Sequence, residues 1–295
     1  MSFDLRITLP AYAKINLYLS VKERREDGYH NIESIMHTVS LHDTVTVTTE
    51  AGDGNIFVAS DSGELDCGET NLAYRAADAF FRAGGFGTTP PSVSIFLEKR
   101  IPTSAGLAGG SSDCAAVLRA LNIISGHAFS SGGLDAIGKS LGADVPFCLH
   151  GGSMTVRGIG EILSPAAPLP DARIVICRPN EGISTSGAYR KIDELPEIPA
   201  YPTLKSAVSA LEAGDLASLS ECAYNMFELI IPPESNIFRA KRIMNECGAA
   251  FSLMSGSGSS VFGVFEKAGD AALAAKRLSD GEFSVFECSP VSKIL

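Results

Sequence analysis

The sequence predicts two α+β domains, and three observations carry that expectation. The chain is 295 residues long, about two domains' worth. Strand and helix patterns are mixed along it, closing with strand, turn, strand, helix and strand. Three prolines in the seven residues Ser164 to Pro170 (SPAAPLP) read as an interdomain linker. The expected domains are therefore residues 1–165 and 166–295.

The elements follow in order. LRITLPAYAKINLYLSVKER is rich in β-branched and aromatic residues, and Pro10 divides it into two expected strands. EDGYHNIESIMHTVSLHDTVTVTT opens on an Asp-Gly turn signal, passes through a mixed segment and ends in an alternating strand from Thr44 to Thr49. Leu72, Ala76, Ala79 and Phe80 hold helical spacing within Asn71–Ala83, before Gly84 and Gly85 stop it. Ser92–Leu97 reads as a strand. Val117, Leu118, Leu121 and Ile124 then keep helical spacing, so a small-residue loop opens a helix near Ser111. Beyond the prolines come a strand at 173–177, a proline-rich loop around 195–202 and helical patterns at 204–221 and 236–247. FSVFEC closes the series.

Composition excludes some partners. Lys and Arg number 24 against 34 Asp and Glu, a formal charge of −10, which disfavours a nucleic-acid coat or an anionic membrane surface. No apolar run reaches the roughly 20 residues of a membrane span, and MSFDLRITLP lacks a signal-peptide core, so a cytoplasmic protein is expected. The seven cysteines are scattered without a C-x-x-C pair. Cys114, Cys148, Cys177 and Cys247 stand in apolar or small-residue runs and read as reduced core thiols. The five histidines (30, 37, 42, 127 and 150) share no metal-ligand spacing, and no structural metal is expected.

Glycine marks the candidate chemistry. Phosphate recognition needs converging backbone N–H groups with no Cβ in the way, best placed at a helix N-terminus. Pro102, Thr103, Ser104, Ala105, Gly106, Leu107, Ala108, Gly109, Gly110, Ser111 and Ser112 supply this between a strand and a helix. Asp113 follows, either stabilising the helix end or near a bound Mg²⁺; a flexible turn before a capped helix is the plainer alternative. Gly133–Ser140 (GLDAIGKS) also fits the G-x-x-x-x-G-K-S/T nucleotide loop, but the polar SGHAFSSGG precedes it where a strand is needed. Leu134, Ile137 and Leu141 instead place it inside a short helix. Ser255–Ser260 (SGSGSS) reads as a turn between two strands.

These segments together resemble one family. IPTSAGLAGGSSD is similar to the glycine-rich ATP loop of the GHMP kinases, PAYAKINLYL to that family's first motif and SGSGSSVFGVF to its third. AKINLYLSVKERREDGYHNIESIM and LGADVPFCL narrow the resemblance to members that phosphorylate the 2-hydroxyl of 4-diphosphocytidyl-2-C-methyl-D-erythritol, on the methylerythritol phosphate route to isoprenoids. The matches run in order from residue 10 to residue 265. The resemblance implies an N-terminal ribosomal-protein-like domain with a left-handed βαβ unit, a ferredoxin-like C-terminal domain, and ATP and acceptor meeting between them. Two departures stand out: Ala108 replaces a frequent loop glycine, and NMFE (225–228) puts Met226 where an aspartate is usual.

The resemblance also implies roles. Asp144 of GADVPF matches the base for the acceptor hydroxyl, and Lys14 its partner, stabilising charge on Asp144 and the nascent alkoxide. Outside the resemblance, Asp144 reads as a helix C-terminal acid and Lys14 as a surface lysine. Loop 102–112 would cradle ATP, with Mg²⁺ carried by the nucleotide and Ser112 as a contact. Asn16 would lie near the reacting groups. Tyr29 and His30 match a cytosine-binding pair, Tyr189 the aromatic on the opposite ring face, and Thr185 an acceptor-side contact. Asn71 is a capping residue or lies near adenine. A small-molecule acceptor is expected, with no nucleic acid and no membrane, and a homodimer is compatible with it. Mevalonate, homoserine or sugar acceptors, a non-enzymatic relative, and a Walker-type NTPase using Lys139 are the competing readings.

Overall fold

In the computed structural model, residues 4–88, 90–281 and 283–294 are described. Within those bounds they divide into two compact units, residues up to 13, 42–103 and 108–150 in the first and 14–41, 104–107 and those from 151 in the second. This is not the expected cut at residue 165. Ser164 and Pro165 end a paired strand, and Leu169 is buried, its N–H donating to His37 Nε2 at 3.0 Å, so SPAAPLP is structured chain.

The first unit begins with β1 (Leu5–Arg24), β2 (His30–Glu50) and β3 (Ile56–Ser60). Both long strands are continuous where the sequence suggested breaks, and each passes from one unit into the other along the chain. Pro10 lies inside β1, which only a ladder position needing no N–H permits. Helix α1 (Leu72–Arg82) is capped by Asn71, whose Oδ1 accepts from Ala73 N at 2.8 Å while Nδ2 donates to Asp66 O, so capping is the role the structure gives it. β4 (Ser92–Glu98) pairs antiparallel with β2 and parallel with β3, so β3, α1 and β4 form a β-α-β unit. Then come α2 (Gly109–Ile124), α3 (Ser131–Leu141) and α4 (Val145–His150). The helices bury Ala76, Phe80, Val117, Leu118 and Leu121 against Val45, Val47, Ile95 and Leu97. Side chains of that size each contribute about 1.5–3 kcal/mol on full burial, alanine excepted.

In the second unit β5 (Ser153–Arg157) pairs with the early part of β2 and with β6 (Ile162–Pro165). The remaining elements are β7 (Arg173–Arg178), α5 (Thr185–Asp193), α6 (Leu204–Ala213), α7 (Leu216–Cys222), β8 (Tyr224–Asn225), a 3₁₀ turn (Met226–Ile230), α8 (Asn236–Glu246), β9 (Phe251–Met254), β10 (Val261–Phe265), α9 (Ala268–Ser279) and β11 (Ser284–Cys288). The single helical pattern expected over 204–221 is two helices, because Gly214 takes a left-handed φ of +67° and Asp215 caps a new start. A four-stranded antiparallel sheet runs β11-β7-β10-β9. Numbered by chain order within that sheet, it is 4-1-3-2, with α8 and α9 between its strand pairs, which is the ferredoxin-like arrangement the resemblance implied.

Candidate active site

The second unit holds Lys14 in a buried polar network. Lys14 is 3% exposed, so it is no surface lysine. Its Nζ donates to Asn16 Oδ1 at 2.8 Å and to Gly106 O at 2.9 Å. Asn16 Oδ1 also accepts from Gly256 N at 3.0 Å, and its Nδ2 donates to Ser34 Oγ, which donates on to Tyr18 O. Both polar ends of Asn16 are thereby committed to protein groups, and its observed work is to hold Lys14 and the 255–260 turn. Buried polar groups demand such complete pairing.

The same network grips residues 104–107. Lys14 N donates to Leu107 O, Ser260 N to Ala105 O and Ser255 Oγ to Gly106 O. Gly106 has φ +77°, and a Cβ there would stand 2.0 Å from Ser255 O. Only glycine fits. Two residues that the sequence did not single out anchor the turn from behind. Asn225 Nδ2 donates to Met254 O at 2.6 Å and Gly256 O at 2.9 Å, and Glu228 accepts from Met254 N while pairing with Lys241. NMFE was visible as a motif, but its partners lie about thirty positions away. Met226 is fully buried among apolar side chains. Thr185, first residue of α5, shares a 2.9 Å hydroxyl contact with Ser257 of the turn.

The first unit carries Pro102, Thr103 and residues 108–112. Helix α2 starts at Gly109, two residues before the expected start, and its N-cap Ala108 makes no side-chain cap. The first-turn amides thus lack the capping oxygen that many helices supply, which is the condition for anion binding. Ala108 sits at φ 61°, ψ 29°, the left-handed region, which explains the glycine usual there in the family motif. Ser112 is buried and its Oγ donates to Tyr12 O at 2.5 Å, with Cys148 Sγ at 3.4 Å.

Asp113 belongs to an ion cluster. Lys99 Nζ lies 2.5 Å from both Asp43 Oδ2 and Asp113 Oδ2, and Asp43 Oδ1 accepts from Arg100 N and Ile101 N. Burial pushes the Asp113 carboxyl up, Lys99 opposes this and the Asp43 charge adds to it. Lys99 is itself raised: burial alone would lower it, but the two carboxylates prevail. Through Oδ2, Asp113 ties the start of α2 to Lys99. Among the described residues no three His, Cys, Asp or Glu are grouped as a metal site.

Asp144 is half-buried immediately before α4, its carbonyl accepting from Cys148 N at 3.0 Å. It therefore leads a helix instead of ending one. Residues 133–140, the Walker-like match, lie inside α3, whose N-cap is Ser130.

The predicted base-binding residues are partly gathered. Tyr29 follows the Asp27-Gly28 turn and is 61% exposed. His30 stacks on Tyr189, with ring centroids 5.1 Å apart and planes 18° from parallel, and Tyr189 meets Phe227 edge-on. His30 Nε2 lies 2.7 Å from Asp193 Oδ1. Asp193 was not foreseen, although it stands four positions after Tyr189, on the same face of α5. A cavity of about 510 Å³ elsewhere in the unit, lined by Phe238, Lys241, Asn245 and Phe251 among others, includes none of the predicted residues.

The chain is similar to known proteins along most of its length. Residues 71–152 match the GHMP kinases N terminal domain and residues 207–282 the GHMP kinases C terminal family. A 4-diphosphocytidyl-2-C-methyl-D-erythritol kinase of Alkaliphilus metalliredigens is 40% identical over 275 residues, 93% of each chain. One from Clostridioides difficile is 40% identical over 278 residues, covering 92% of this chain and 91% of its own. A crystal structure of 4-(cytidine 5'-diphospho)-2C-methyl-D-erythritol kinase aligns with TM-score 0.78 at 35% identity, over 96% of this chain and 99% of that one. Mevalonate kinase of L. major, with TM-score 0.77 at 12% identity, shares the fold.

Proposed function

The chain belongs to the GHMP kinase family, and from that premise we propose that it is a 4-diphosphocytidyl-2-C-methyl-D-erythritol kinase. It moves the γ-phosphoryl of ATP to the 2-hydroxyl of the acceptor, in isoprenoid biosynthesis by the methylerythritol phosphate route. Identity at this level across more than nine-tenths of several relatives supports the activity. The observation that carries the chemistry is Lys14, a buried cation held by one side-chain hydrogen bond to Asn16 and one to Gly106 O of the glycine segment.

Phosphoryl transfer is chiefly positioning and charge stabilisation. In the proposed mechanism, the uncapped first turn of α2 and the main chain of 102–112 bind the ATP phosphates, and Lys14 offsets negative charge developing on the transferred group and the acceptor oxygen. Asp144 takes the hydroxyl proton. Tyr29, His30 and Tyr189 hold the cytosine, and Thr185 contacts the acceptor. Mg²⁺ enters as part of the MgATP substrate. Asp113 is engaged by Lys99, and the Ser112 hydroxyl, which donates to Tyr12 O, keeps its oxygen lone pairs and would be the protein's contact to that cation. The enzyme takes a small-molecule acceptor and no nucleic acid, acts in the cytoplasm, and admits a homodimer; no helix among the described residues is long and apolar enough to cross a membrane.

The test is an assay with ATP, Mg²⁺ and a panel of 4-diphosphocytidyl-methylerythritol, mevalonate and homoserine. Product forms only with the first. Asp144→Asn loses nearly all turnover, and Lys139→Ala keeps it. Phosphorylation of mevalonate instead, or activity lost only at Lys139, overturns the reading.

A further inference from the structure

His30 is 8% exposed, and the geometry around it bears on which base the proposed cytidine site accepts. Its Nε2 is 2.7 Å from Asp193 Oδ1. An ionised carboxylate only accepts hydrogen bonds, so Nε2 carries the hydrogen and donates it. The other oxygen of Asp193 faces Arg24, with Nη1 3.9 Å away. In a neutral imidazole one nitrogen donates and the other accepts, so a committed Nε2–H leaves Nδ1 as a lone-pair acceptor. Stacking on Tyr189 holds the plane of the ring, and a half-turn about Cβ–Cγ, which puts Cε1 in place of Nε2, would break the Asp193 bond.

We propose that Asp193 is a positioning residue for base selection. Through His30 it presents an acceptor to the pairing edge of a pyrimidine. Cytosine offers its exocyclic amino group, a donor, at the position where uracil carries the O4 carbonyl. The first pairs with Nδ1; the second sets two acceptors against each other, a mismatch that works by repulsion and lost solvation. The expected preference for cytidine over uridine is on the order of ten- to a hundred-fold. This inference rests on the cytidine reading of the site and adds to it the residue that sets the tautomer.

Two measurements test it. Calorimetry at pH 8 compares CDP with UDP on the full-length protein and on Asp193→Asn, whose amide both donates and accepts and so releases the tautomer. The wild type favours CDP, and the variant brings the ratio towards unity, chiefly by gaining affinity for UDP relative to CDP. Nitrogen-15 spectra of histidine-labelled wild type, assigned with His30→Gln, show Nε2–H and an unprotonated Nδ1 at His30, and decide the matter even if the Asp193 variant fails to fold. An unchanged ratio in a folded variant, an equal or greater affinity of the wild type for UDP, or a proton on Nδ1 overturns the proposal. If the wild type binds neither nucleotide, the cytidine reading falls and this inference with it. Binding of CDP with a ratio indifferent to Asp193 removes only the role of Asp193.

Discussion

Asn16 shows how much rests on one amide. It accepts from both Lys14 Nζ and Gly256 N, so Asn16→Ala removes one acceptor of a buried ammonium and the acceptor of a backbone N–H. Such a loss costs about 1–3 kcal/mol, and if Lys14 acts on the transferred phosphoryl, turnover falls about tenfold to a hundredfold. Steady-state kinetics beside a denaturation curve checks both. Ala108 makes the opposite prediction. Its left-handed backbone costs a residue with a Cβ roughly 1–2 kcal/mol, so Ala108→Gly recovers a part of that, raising the midpoint of urea unfolding. The types of residue needed for phosphate chemistry were legible in the sequence, because glycine, serine and lysine stood in recognisable order. That Lys14 is buried was not, because its acceptors come from Asn16 and from Gly106, ninety-two positions away. Asp193 escaped notice for the same reason, its partner being 163 positions earlier in the chain.

Helix α2 is fixed by charge at its start and by apolar packing along its length. Asp113 in its first turns, Asp43 of β2 and Lys99 after β4 meet in one buried cluster, and Asp43 also ties down the main chain at Arg100 and Ile101, just before the glycine segment. Lys99→Met leaves two buried carboxylates facing each other and destabilises by about 3–5 kcal/mol. Adding Asp113→Asn to that variant returns part of the loss, which a pair of urea titrations measures; no recovery would mean that Lys99 acts through packing alone. Periodicity located this helix and α1 within two residues at their starts, since each has a defined apolar face. It failed on β1 and β2, whose buried middle stretches lack clean alternation, and it divided what the fold keeps whole. The short α4 and α5 were also missed, being too brief to show a period.

At the scale of the molecule, His37 links stability to acidity. It is fully buried, with Nδ1 2.8 Å from Thr38 O and Nε2 accepting from Leu169 N, and burial lowers its pKa to about 4. An unfolded histidine titrates near 6.5, so the unfolded chain binds a proton that the native one refuses. The contribution is complete above about pH 6.5 and is lost as pH falls towards 4, by up to about 1.4 kcal/mol per pH unit. Unfolding midpoints of wild type and His37→Gln, compared at pH 7 and 4.5, show the wild-type advantage shrinking; a constant difference contradicts it. The formal charge of −10 predicted none of this, since it describes long-range steering and says little about one buried imidazole. The two-domain expectation was sound in kind. Its cut at residue 165 failed because the compact units interleave along the chain, and strand composition does not announce which partner a strand will find.

That interleaving has a cost in time. Tyr18 of β1 pairs with Tyr224 of β8, so β1 waits for a neighbour made 206 residues later. At 5–20 residues per second the ribosome needs roughly 10–40 s to supply it. Through that interval Ile15, Leu17 and Leu19, buried in the finished protein, have no completed unit to enter. The nascent chain is therefore expected to depend on holding chaperones, and slowing translation before codon 224 lowers its soluble yield when they are scarce.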